Sequence, residues 1–504
     1  MVKDATLDVL IVGAGPTGLT LAIDLARRGV DCHLVERTEG PRTASRAKTI
    51  QPRALEVADD LGVIQQVLEL GQVHVPTRHY DRDRVISEGV STALGMSDPG
   101  VPYAPVWLSQ PMFERILRDR LAELGGRIEW GTEVTAVAQT DDAVEVTVSG
   151  AAGEGRIRAR YVVGCDGGRS VVRKRSGAAL EGVSYGEHRW WLGDVHITGL
   201  DRHCQHVWMS REHGILSLFP LPSTDLWQFQ ASVPADDSDP AAPTLDLFRR
   251  LFTERAGLAE VTIDDAGWLS LYEINVALVD RYRIGRIFLA GDAAHVHSPA
   301  GGQGMNTGIQ DAYNLGWKLA AVLEGAAESL LDTYELERRP VARAVLDDST
   351  SRLHSLMRSA GDGSGAAAVA GLTDDFTTGL TIAYTESPLS EPGLDYARVR
   401  AGDRAPDAVV LDASTGREVR VFDLLRGTHW TVLNFDHGSP ARRNGSRSPF
   451  ATAPKTIRIT TDTTATGPDT MIDLGGRAHD SYDITGDTAI LIRPDGYIAA
   501  RTEA

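Results

Sequence analysis

The sequence contains very little cysteine, three residues among 504. Cys32, Cys165 and Cys204 lie far apart, and they form neither a CxxC pair nor a metal-ligand pattern. This usage argues against disulfide-rich secreted proteins and against zinc modules, and it fits a reducing compartment. We therefore predict a cytoplasmic protein that binds no metal.

Long apolar runs are also missing. No run approaches the roughly 18 apolar residues that a membrane-spanning helix needs. The chain passes from Lys3 and Asp4 almost directly into the apolar segment 9–12, without the charged and then apolar leader of a secretory signal. We predict no membrane span and no secretion.

Positive charge is in deficit. Lys and Arg number 51 against 69 Asp and Glu, a formal net charge of −18, which disfavours nucleic acid and anionic membranes as partners. The content of 42% hydrophobic and 24% charged residues is ordinary for a folded protein. A chain of this length exceeds one hydrophobic core, so we expect about two or three domains.

What the sequence does contain begins with a strand, turn, helix and strand. We predict a strand over Leu7–Val12, a glycine turn over Gly13–Gly18, a helix over Leu19–Arg28 and a second strand over Cys32–Glu36. The turn has GxGxxG spacing, which is weak evidence alone but specific between a strand and a helix. This context predicts a dinucleotide site.

Each glycine of that turn has a mechanical role. The first permits a tight turn, the second lets the backbone approach a pyrophosphate, and the third lets helix and strand pack closely. The helix N-terminus attracts the anion. Glu36, at the end of the second strand, can accept hydrogen bonds from the adenosine ribose and disfavours a 2′-phosphate, so NADP is not the ligand of this turn. The predicted binding residues of the turn are Gly13, Gly15, Pro16, Thr17 and Gly18.

Two later strand ends also carry glycine and aspartate. Residues 161–164 lead into Asp166, and residues 286–290 lead into Gly291 and Asp292. Several predicted strands, far apart in sequence, thus end at a glycine. This pattern predicts one sheet that is interrupted by an insertion.

The insertion, residues 184–279, has a different pattern of apolar and polar residues. Segment 227–233 and part of 268–276 alternate apolar and polar residues, as antiparallel strands buried on one face do. Its tryptophans either fill a small core or line an aromatic-binding pocket, and the sequence leaves both interpretations open. They are Trp190, Trp191, Trp208, Trp227 and Trp268.

The third strand end decides between NAD and FAD. A carboxylate at Asp292 can hydrogen-bond the hydroxyls of a ribityl chain, which flavins have and nicotinamide nucleotides lack. The glycine-rich segment Pro299–Asn306 then leads into a helix predicted over Asn306–Leu323. The helix dipole would face the flavin N1/C2 carbonyl edge and stabilise the anionic reduced flavin. The sequence therefore predicts FAD.

The three motifs together resemble those of the class A flavoprotein monooxygenases of the para-hydroxybenzoate hydroxylase type, especially the aromatic polyketide hydroxylases with a thioredoxin-like C-terminal domain. The matching segments are Gly13–Gly18, Cys165–Ser170 and Gly291–Asn306. The resemblance implies an α/β fold with a Rossmann-like FAD-binding domain of the glutathione-reductase type, an inserted antiparallel sheet for the substrate and the thioredoxin-like domain.

On this basis we divide the chain into segments. The FAD-binding domain takes residues 1–183 and 280–358, the inserted substrate-binding sheet 184–279, a linker or helical segment 359–401, and the thioredoxin-like domain 402–504. The last domain contains no cysteine. Because thiol–disulfide exchange requires a thiolate, a packing or assembly role is left for it.

The resemblance also implies roles for single residues. Glu36 and Arg37 would hold the adenosine ribose and the adenine side, Arg46 would contact the phosphates or the ribityl chain, and Gln110 would touch the ribityl chain. The alternative for Arg46 is a solvated arginine, and for Gln110 a helix-capping glutamine.

Further roles follow from the second and third motifs. Asp166 matches an acid implicated in binding both FAD and reduced nicotinamide, and Asp292 matches the ribityl-binding acid. Pro299 matches a position whose backbone lies over the region between flavin and substrate. The remaining predicted cofactor-binding residues are Gly302, Gly304, Met305 and Asn306.

The implied reaction uses NADPH or NADH as a transiently bound co-substrate. Hydride passes to FAD, the reduced flavin takes up O₂ as a C4a-hydroperoxide, and one oxygen atom goes to an aromatic small molecule of phenolic or polyketide type. A base could ionise a phenol, but His196, His206, Tyr272 and His295 are candidates by residue type only. We assign no catalytic side chain.

Other functions remain open at this point. The same peroxide serves Baeyer–Villiger oxygenation or epoxidation of a polyketide, and a flavin-binding assembly factor would keep the fold without turnover. The oligomeric state is open as well, with a homodimer as one option.

Overall fold

The computed structural model describes residues 6–90, 100–210, 212–234, 236–298, 301–362, 374–392, 397–436 and 453–503. The helices within these ranges are α1 (Pro16–Arg27), α2 (Pro52–Asp60), α3 (Ile64–Leu70), α4 (Gln110–Glu123), α5 (Val171–Ser176), α6 (Leu245–Ala256), α7 (Gly304–Leu323), α8 (Asp332–Asp362), α9 (Val421–Leu425) and α10 (Arg477–Ser481).

The strands, in chain order, are β1 (Leu7–Val12), β2 (Cys32–Val35), β3 (Thr49–Ile50), β4 (Gln72–Val73), β5 (Thr77–Asp81), β6 (Arg84–Gly89), β7 (Val106–Trp107), β8 (Ile128–Glu129), β9 (Glu133–Gln139), β10 (Val144–Gly150), β11 (Gly153–Gly164), β12 (Leu180–Thr198), β13 (Gln205–Ser210), β14 (Gly214–Pro220), β15 (Leu226–Ser232), β16 (Thr262–Val279), β17 (Arg283–Ile284), β18 (Ile287–Leu289), β19 (His295–Val296), β20 (Val409–Asp412), β21 (Glu418–Arg420), β22 (Thr431–Asp436), β23 (Lys455–Thr460), β24 (Thr470–Ile472), β25 (Thr488–Ile492) and β26 (Ile498–Glu503).

The first sheet has the order β17-β18-β11-β1-β2-β8, with β9 and β10 attached through β11. The ladders β1–β2, β1–β11 and β11–β18 are parallel. In them Val12 lies opposite both Val35 and Gly164, and Gly164 lies opposite Leu289. These strands therefore end in register, and the loops that follow them emerge at one edge. The predicted single sheet with an insertion is confirmed.

Helices α1 and α7 pack against each other, and two glycines of α7 allow their close approach. A Cβ atom at Gly308 would lie 2.4 Å from Thr17 Oγ1, and one at Gly316 would lie 2.3 Å from Asp24 Oδ2. Because side chains at these positions would push the helices apart, the glycines fix α7 against α1.

The second sheet has the order β19-β16-β12-β15-β14-β13-β5-β6. Its longest ladder is the antiparallel pair β12–β16, as the alternating pattern of the insertion predicts. Strands β5 and β6 also belong to this sheet, through a parallel ladder between β5 and β13, although they precede the predicted insertion. Its core against α6 contains Trp191, Trp208 and Trp227, so these three tryptophans fill a core.

The third sheet is mixed, with the order β21-β20-β24-β23-β22-β25-β26. Strands β22, β23 and β24 run parallel, and β25 and β26 continue antiparallel from β22. Helix α8 ends at Asp362, four residues into the segment predicted to begin at 359. The glycine-rich stretch after it, residues 363–371, lies outside the described residues.

A buried cluster of charges joins the third sheet to α7 and α8. Arg493, just after β25, donates to both carboxylate oxygens of Glu337 at 2.7 and 2.9 Å and to Asp495 at 2.9 and 2.6 Å. Lys318 Nζ also donates to Glu337, at 2.7 Å, and Trp317 Nε1 donates to Asp495, at 2.9 Å. Burial opposes ionisation of Glu337, but the Arg493 and Lys318 charges outweigh it and hold the pKa of Glu337 well below its usual range. The C-terminal domain is therefore fastened to α7.

Among the described residues, no helix combines the length and the apolar character that crossing a bilayer requires.

The charge cluster predicts a large loss of stability when its central cation is removed. Arg493→Met leaves Glu337 and Asp495 buried with less compensating charge, which should lower the free energy of unfolding by about 3–5 kcal/mol. Urea denaturation followed by circular dichroism measures this. Arg417→Met, at an exposed position of the same domain, serves as the control, and equal unfolding free energies for the two variants would contradict the assignment.

Candidate active site

A cavity of about 1530 Å³ runs from the carboxyl edge of the first sheet to the second sheet. Its wall includes the glycine turn after β1, the loops after β2, β11 and β18, and side chains of β14, β15 and β16. The predicted site residues on this wall are Gly13, Gly15, Pro16, Thr17, Glu36, Arg37, Arg46, Gln110, Asp166, Asp292, Gly302, Gly304 and Met305.

Three predicted residues are not placed on the wall. A Cβ atom at Gly18 would lie 2.0 Å from the Gly13 carbonyl oxygen, so this glycine serves turn and helix packing. Asn306 is buried, and it donates to the Thr49 and Gly302 carbonyls at 3.0 and 2.8 Å and accepts from the Gln51 N–H at 2.8 Å. Its amide therefore joins the beginning of α7 to the backbone of Thr49 and Gln51 rather than facing the cavity. Pro299 lies outside the described residues.

The first two glycines of the turn differ in what surrounds them. Gly13 has φ +108°, and a Cβ atom there would lie 2.4 Å from the Cys165 carbonyl oxygen, so only glycine fits. Gly15 has no heavy atom within 4 Å of an added Cβ and precedes α1 without any side chain to cap its first turn. The backbone at Gly15 is therefore open to a ligand at the helix N-terminus.

Glu36 secures the glycine turn from the end of β2. Its carboxylate accepts from the Ala14 N–H at 2.9 Å and from the N–H and hydroxyl of Thr38, both at 3.1 Å. The side chain also borders the cavity. This arrangement holds an acid beside the turn, where the adenosine end of a dinucleotide would need it.

Asp166 has a local structural role as well as a place on the wall. Its carboxylate accepts from Ser170 Oγ at 2.5 Å and from the N–H groups of Val171 and Val172 at 2.6 and 3.2 Å, which begin α5. Burial raises the pKa of Asp166 despite these hydrogen bonds. The carboxylate orders the loop after β11 at the cavity.

Asp292, Arg46 and Tyr272 lie near one another on the wall. Asp292 and Arg46 are exposed to the cavity. Burial raises the pKa of Tyr272 to about 12, Asp292 adds to this shift, and Arg46 opposes it. The Tyr272 hydroxyl is therefore protonated at neutral pH, which disfavours a role as a base.

Arg37 and Gln110 lie on the same wall but differ in their burial and in their hydrogen bonds. Arg37 is exposed, whereas Gln110, half-buried at the start of α4, accepts from the Ala47 N–H at 3.2 Å and donates to Glu114 at 2.8 Å. Gln110 does not cap its helix, because Ser109 holds the N-cap position.

The other candidates for a base have structural partners. His295 lies 2.7 Å from the carboxylate of Asp311, with both side chains fully buried. His206 is buried between the Tyr80 hydroxyl and the Asp201 carbonyl, both at 2.8 Å. His196 is half-buried and lies 3.4 Å from Asp225. None of these three histidines is on the cavity wall.

Trp190 and Trp268 border the cavity, so the tryptophans of the insertion divide between core and pocket. Some wall residues were not predicted, because their position depends on tertiary packing. Lys48, Gln51, His297 and Gln303 are among them. Gln303 lies within the recognised glycine-rich segment, and the other three carry no sequence signal.

The wall fits a flavin dinucleotide. Among the described residues, four buried polar atoms on it have no hydrogen-bond partner: Gln51 Oε1, Trp190 Nε1, His297 Nε2 and Gln303 Nε2. Trp190 belongs to β12 of the second sheet, and the other three atoms lie where α7 begins at Gly304, whose N-cap residue makes no side-chain cap. Buried polar atoms need partners, and a helix N-terminus favours partial negative charge. The carbonyl and ring nitrogens of an isoalloxazine meet both requirements.

In this fold the N-termini of α1 and α7, each next to a glycine-rich turn, border one long cavity. This arrangement is that of a flavoprotein. Family comparison agrees, because a model of the FAD binding domain matches residues 6–349 and a model of the C-terminal domain of aromatic-ring hydroxylases matches residues 398–504. The chain belongs to this family of FAD-binding aromatic-ring hydroxylases.

Individual relatives extend over nearly the whole chain. A flavin-dependent monooxygenase of Mycobacteroides abscessus is 40% identical and covers 99% of this chain and 98% of its own. The 6-methylpretetramide 4-monooxygenase of Streptomyces rimosus is 34% identical over 98% of this chain and 90% of its own. The structure of aklavinone-11 hydroxylase with FAD and aklavinone matches with a TM-score of 0.82 and 27% identity, over 100% of this chain and 96% of the other.

The predicted fold class, the FAD cofactor and the enzyme class are thereby confirmed. The protein is an FAD-dependent monooxygenase that hydroxylates aromatic small molecules.

The open space at Gly15 predicts a variant that folds normally but binds FAD poorly. In Gly15→Ala the added methyl meets no protein atom but occupies the approach of the pyrophosphate. Such overlap costs about 1–3 kcal/mol, which is about a 10- to 100-fold higher Kd. Fluorescence titration of the apoprotein with FAD measures it.

The matched control is Gly486→Ala, another glycine with no atom near an added Cβ. Both variants should melt at the temperature of the wild-type apoprotein. Unchanged FAD affinity in Gly15→Ala would show that the pyrophosphate does not lie against this turn.

Proposed function

We propose that the dinucleotide lies along the wall in the order of the motifs. Its pyrophosphate is held at Gly13 and Gly15 and its adenosine end at Glu36. Its ribityl chain is held by Asp292, together with Arg46. The remaining contacts of this proposal are Pro16, Thr17, Arg37, Gln110, Asp166, Gly302, Gly304 and Met305.

The observation that carries the proposal is the continuity of the cavity. One space connects the carboxyl edge of the first sheet with side chains of the second sheet, among them Ser217, Gln230 and Trp268. A cofactor at the edge therefore leaves room for a second molecule between itself and the second sheet.

The chemistry that a bound flavin supplies is acceptance of hydride from reduced nicotinamide and activation of dioxygen. The chain's own contribution is binding, orientation and exclusion of water. The N-terminus of α7 favours negative charge at the ring edge beside Gly304. The Tyr272 hydroxyl is protonated at neutral pH, and Trp190 and Trp268 give the substrate end an apolar, aromatic wall.

Electron-rich polycyclic aromatics are the substrates that we propose. The relatives named for 6-methylpretetramide and aklavinone support a polyketide-type substrate, and the cavity holds about 1530 Å³ in total for cofactor and substrate. NADPH or NADH and O₂ complete the reaction. A cytoplasmic location is part of the proposal, supported by the three unpaired cysteines, while a homodimer stays a prediction.

Turnover provides the direct test of this function. The purified protein should be yellow, and a hydroxylated polycyclic substrate should accelerate oxidation of NADPH or NADH and yield a product one oxygen atom heavier, with the new hydroxyl located by NMR. Absence of stimulated oxidation across a panel of phenols and hydroxyquinones, in a preparation that carries FAD, would contradict the proposal.

Asp292 provides a test of the proposed order along the wall. Asp292→Ala removes charge-assisted hydrogen bonds to the ribityl hydroxyls, each about 1.5–3 kcal/mol, so FAD should dissociate about 10- to 100-fold more readily. Flavin content after dialysis measures this. Asp347→Ala, on the exposed side of α8, is the control and should keep its flavin, and full flavin in both variants would overturn the ribityl assignment.

A further inference from the structure

Lys48 places a cation at the substrate end of the cavity. The residue precedes β3 and borders the cavity. Its Nζ donates to Gln228 Oε1 at 3.0 Å and lies 3.7 Å from the centre of the Phe219 ring. Phe219 and Gln228 belong to β14 and β15 of the second sheet, so the ammonium lies where that sheet meets the first domain.

The ammonium has no carboxylate within ion-pair distance in the described part of the chain. Asp194 of β12 is the charged group that acts on it, and the carboxylate of Asp194 accepts the Ser45 N–H at 2.7 Å. The other groups packed on Lys48, from β14 and β15, do not titrate. Burial lowers the pKa of Lys48 to about 8, against the attraction of Asp194, and burial raises the pKa of Asp194 to about 6. A cation so placed is costly unless a ligand compensates it.

The surrounding hydrogen bonds do not require Lys48. Gln228 Oε1 also accepts from Gln230 Nε2 at 2.7 Å, and Gln228 Nε2 donates to the Ser45 carbonyl at 2.6 Å. Removal of the ammonium therefore leaves Gln228 with partners for both ends of its amide. A buried ammonium that local structure does not require, on a residue that borders the cavity beside Phe219, indicates a role in binding.

We propose that Lys48 binds the ionised oxygen of the substrate, so that the enzyme takes hydroxylated aromatics as their phenolate or enolate anions. This inference rests on the proposed function and names the substrate class of the same cavity. A phenolate is more electron-rich at its ortho and para carbons than the phenol. Lys48 therefore selects the form of the substrate that an electrophilic oxygen attacks, and it orients the ring through that oxygen.

The test uses the FAD-loaded protein and 1,2-dihydroxyanthraquinone, a dye that changes from yellow to red when it ionises. Unsubstituted anthraquinone, which has no hydroxyl, is the matched ligand. The proteins are wild type, Lys48→Met and the control Lys174→Met, the same replacement at an exposed lysine. Absorbance reports the ionisation of bound dye, and calorimetry reports affinity.

On the wild type and on Lys174→Met, the pKa of the bound dye should be at least about one unit lower than on Lys48→Met, and dye affinity near neutral pH about tenfold higher or more. Affinity for anthraquinone should be equal in all three proteins. Because Lys48 is charged below its pKa, dye affinity of the wild type should decline above about pH 8 relative to that of Lys48→Met.

Several results would overturn the proposal. These are equal dye pKa values on wild type and Lys48→Met, no dye binding to the FAD-loaded wild type, or loss of FAD from Lys48→Met with dye binding retained, which would place the lysine on the flavin. Flavin content distinguishes a failure of the Lys48 proposal from a failure of the proposed function, because a wild type that takes up no FAD would contradict both.

If Lys48→Met fails to fold, a measurement on the wild type alone still tests the proposal. Bound dye should protect Lys48 from acylation by acetic anhydride, as peptide mass spectrometry detects, while Lys174 stays reactive. Equal acylation of Lys48 with and without saturating dye would contradict direct contact.

Discussion

The in-register ending of parallel strands is the constraint on which this structure depends. Hydrogen bonding of β1 to β2 and β11, and of β11 to β18, brings four chain segments to one sheet edge. Gly13, Glu36, Asp166 and Asp292 follow these strand ends, so residues hundreds of positions apart share one cavity wall. Parallel pairing exposes the following loops at the carboxyl edge, where α/β folds bind nucleotides. A register shift would separate the phosphate end of the site from the ribityl end.

A second constraint holds α7, whose N-terminus faces the cavity. Asn306 fastens the beginning of the helix to the segment before α2, and Gly308 and Gly316 allow it to press on α1. Further along the helix, Trp317 and Lys318 join the charge cluster that includes residues of the C-terminal domain. That domain contains no cysteine, and these contacts hold it against α7.

Sequence reasoning anticipated what local pattern encodes. Strand β1 has the predicted bounds, and the glycine turn and α7 lie where spacing and helical periodicity indicated. It did not assign β5 and β6 to the second sheet, because that pairing is set by a ladder between segments far apart in the chain. It placed Asn306 on the cofactor, although its amide is used within the protein. Lys48 carried no signal, since its importance arises from burial against β14 and β15, which a linear pattern does not show.

We propose that loops from one sheet edge hold a single dinucleotide whose flavin end faces the second sheet. A crystal structure of the protein with FAD tests this most directly. We expect density for the pyrophosphate against Gly13 and Gly15, and for the isoalloxazine between the N-terminus of α7 and the second sheet. Density that places the pyrophosphate away from this turn, or the flavin ring on the other side of α7, would contradict it.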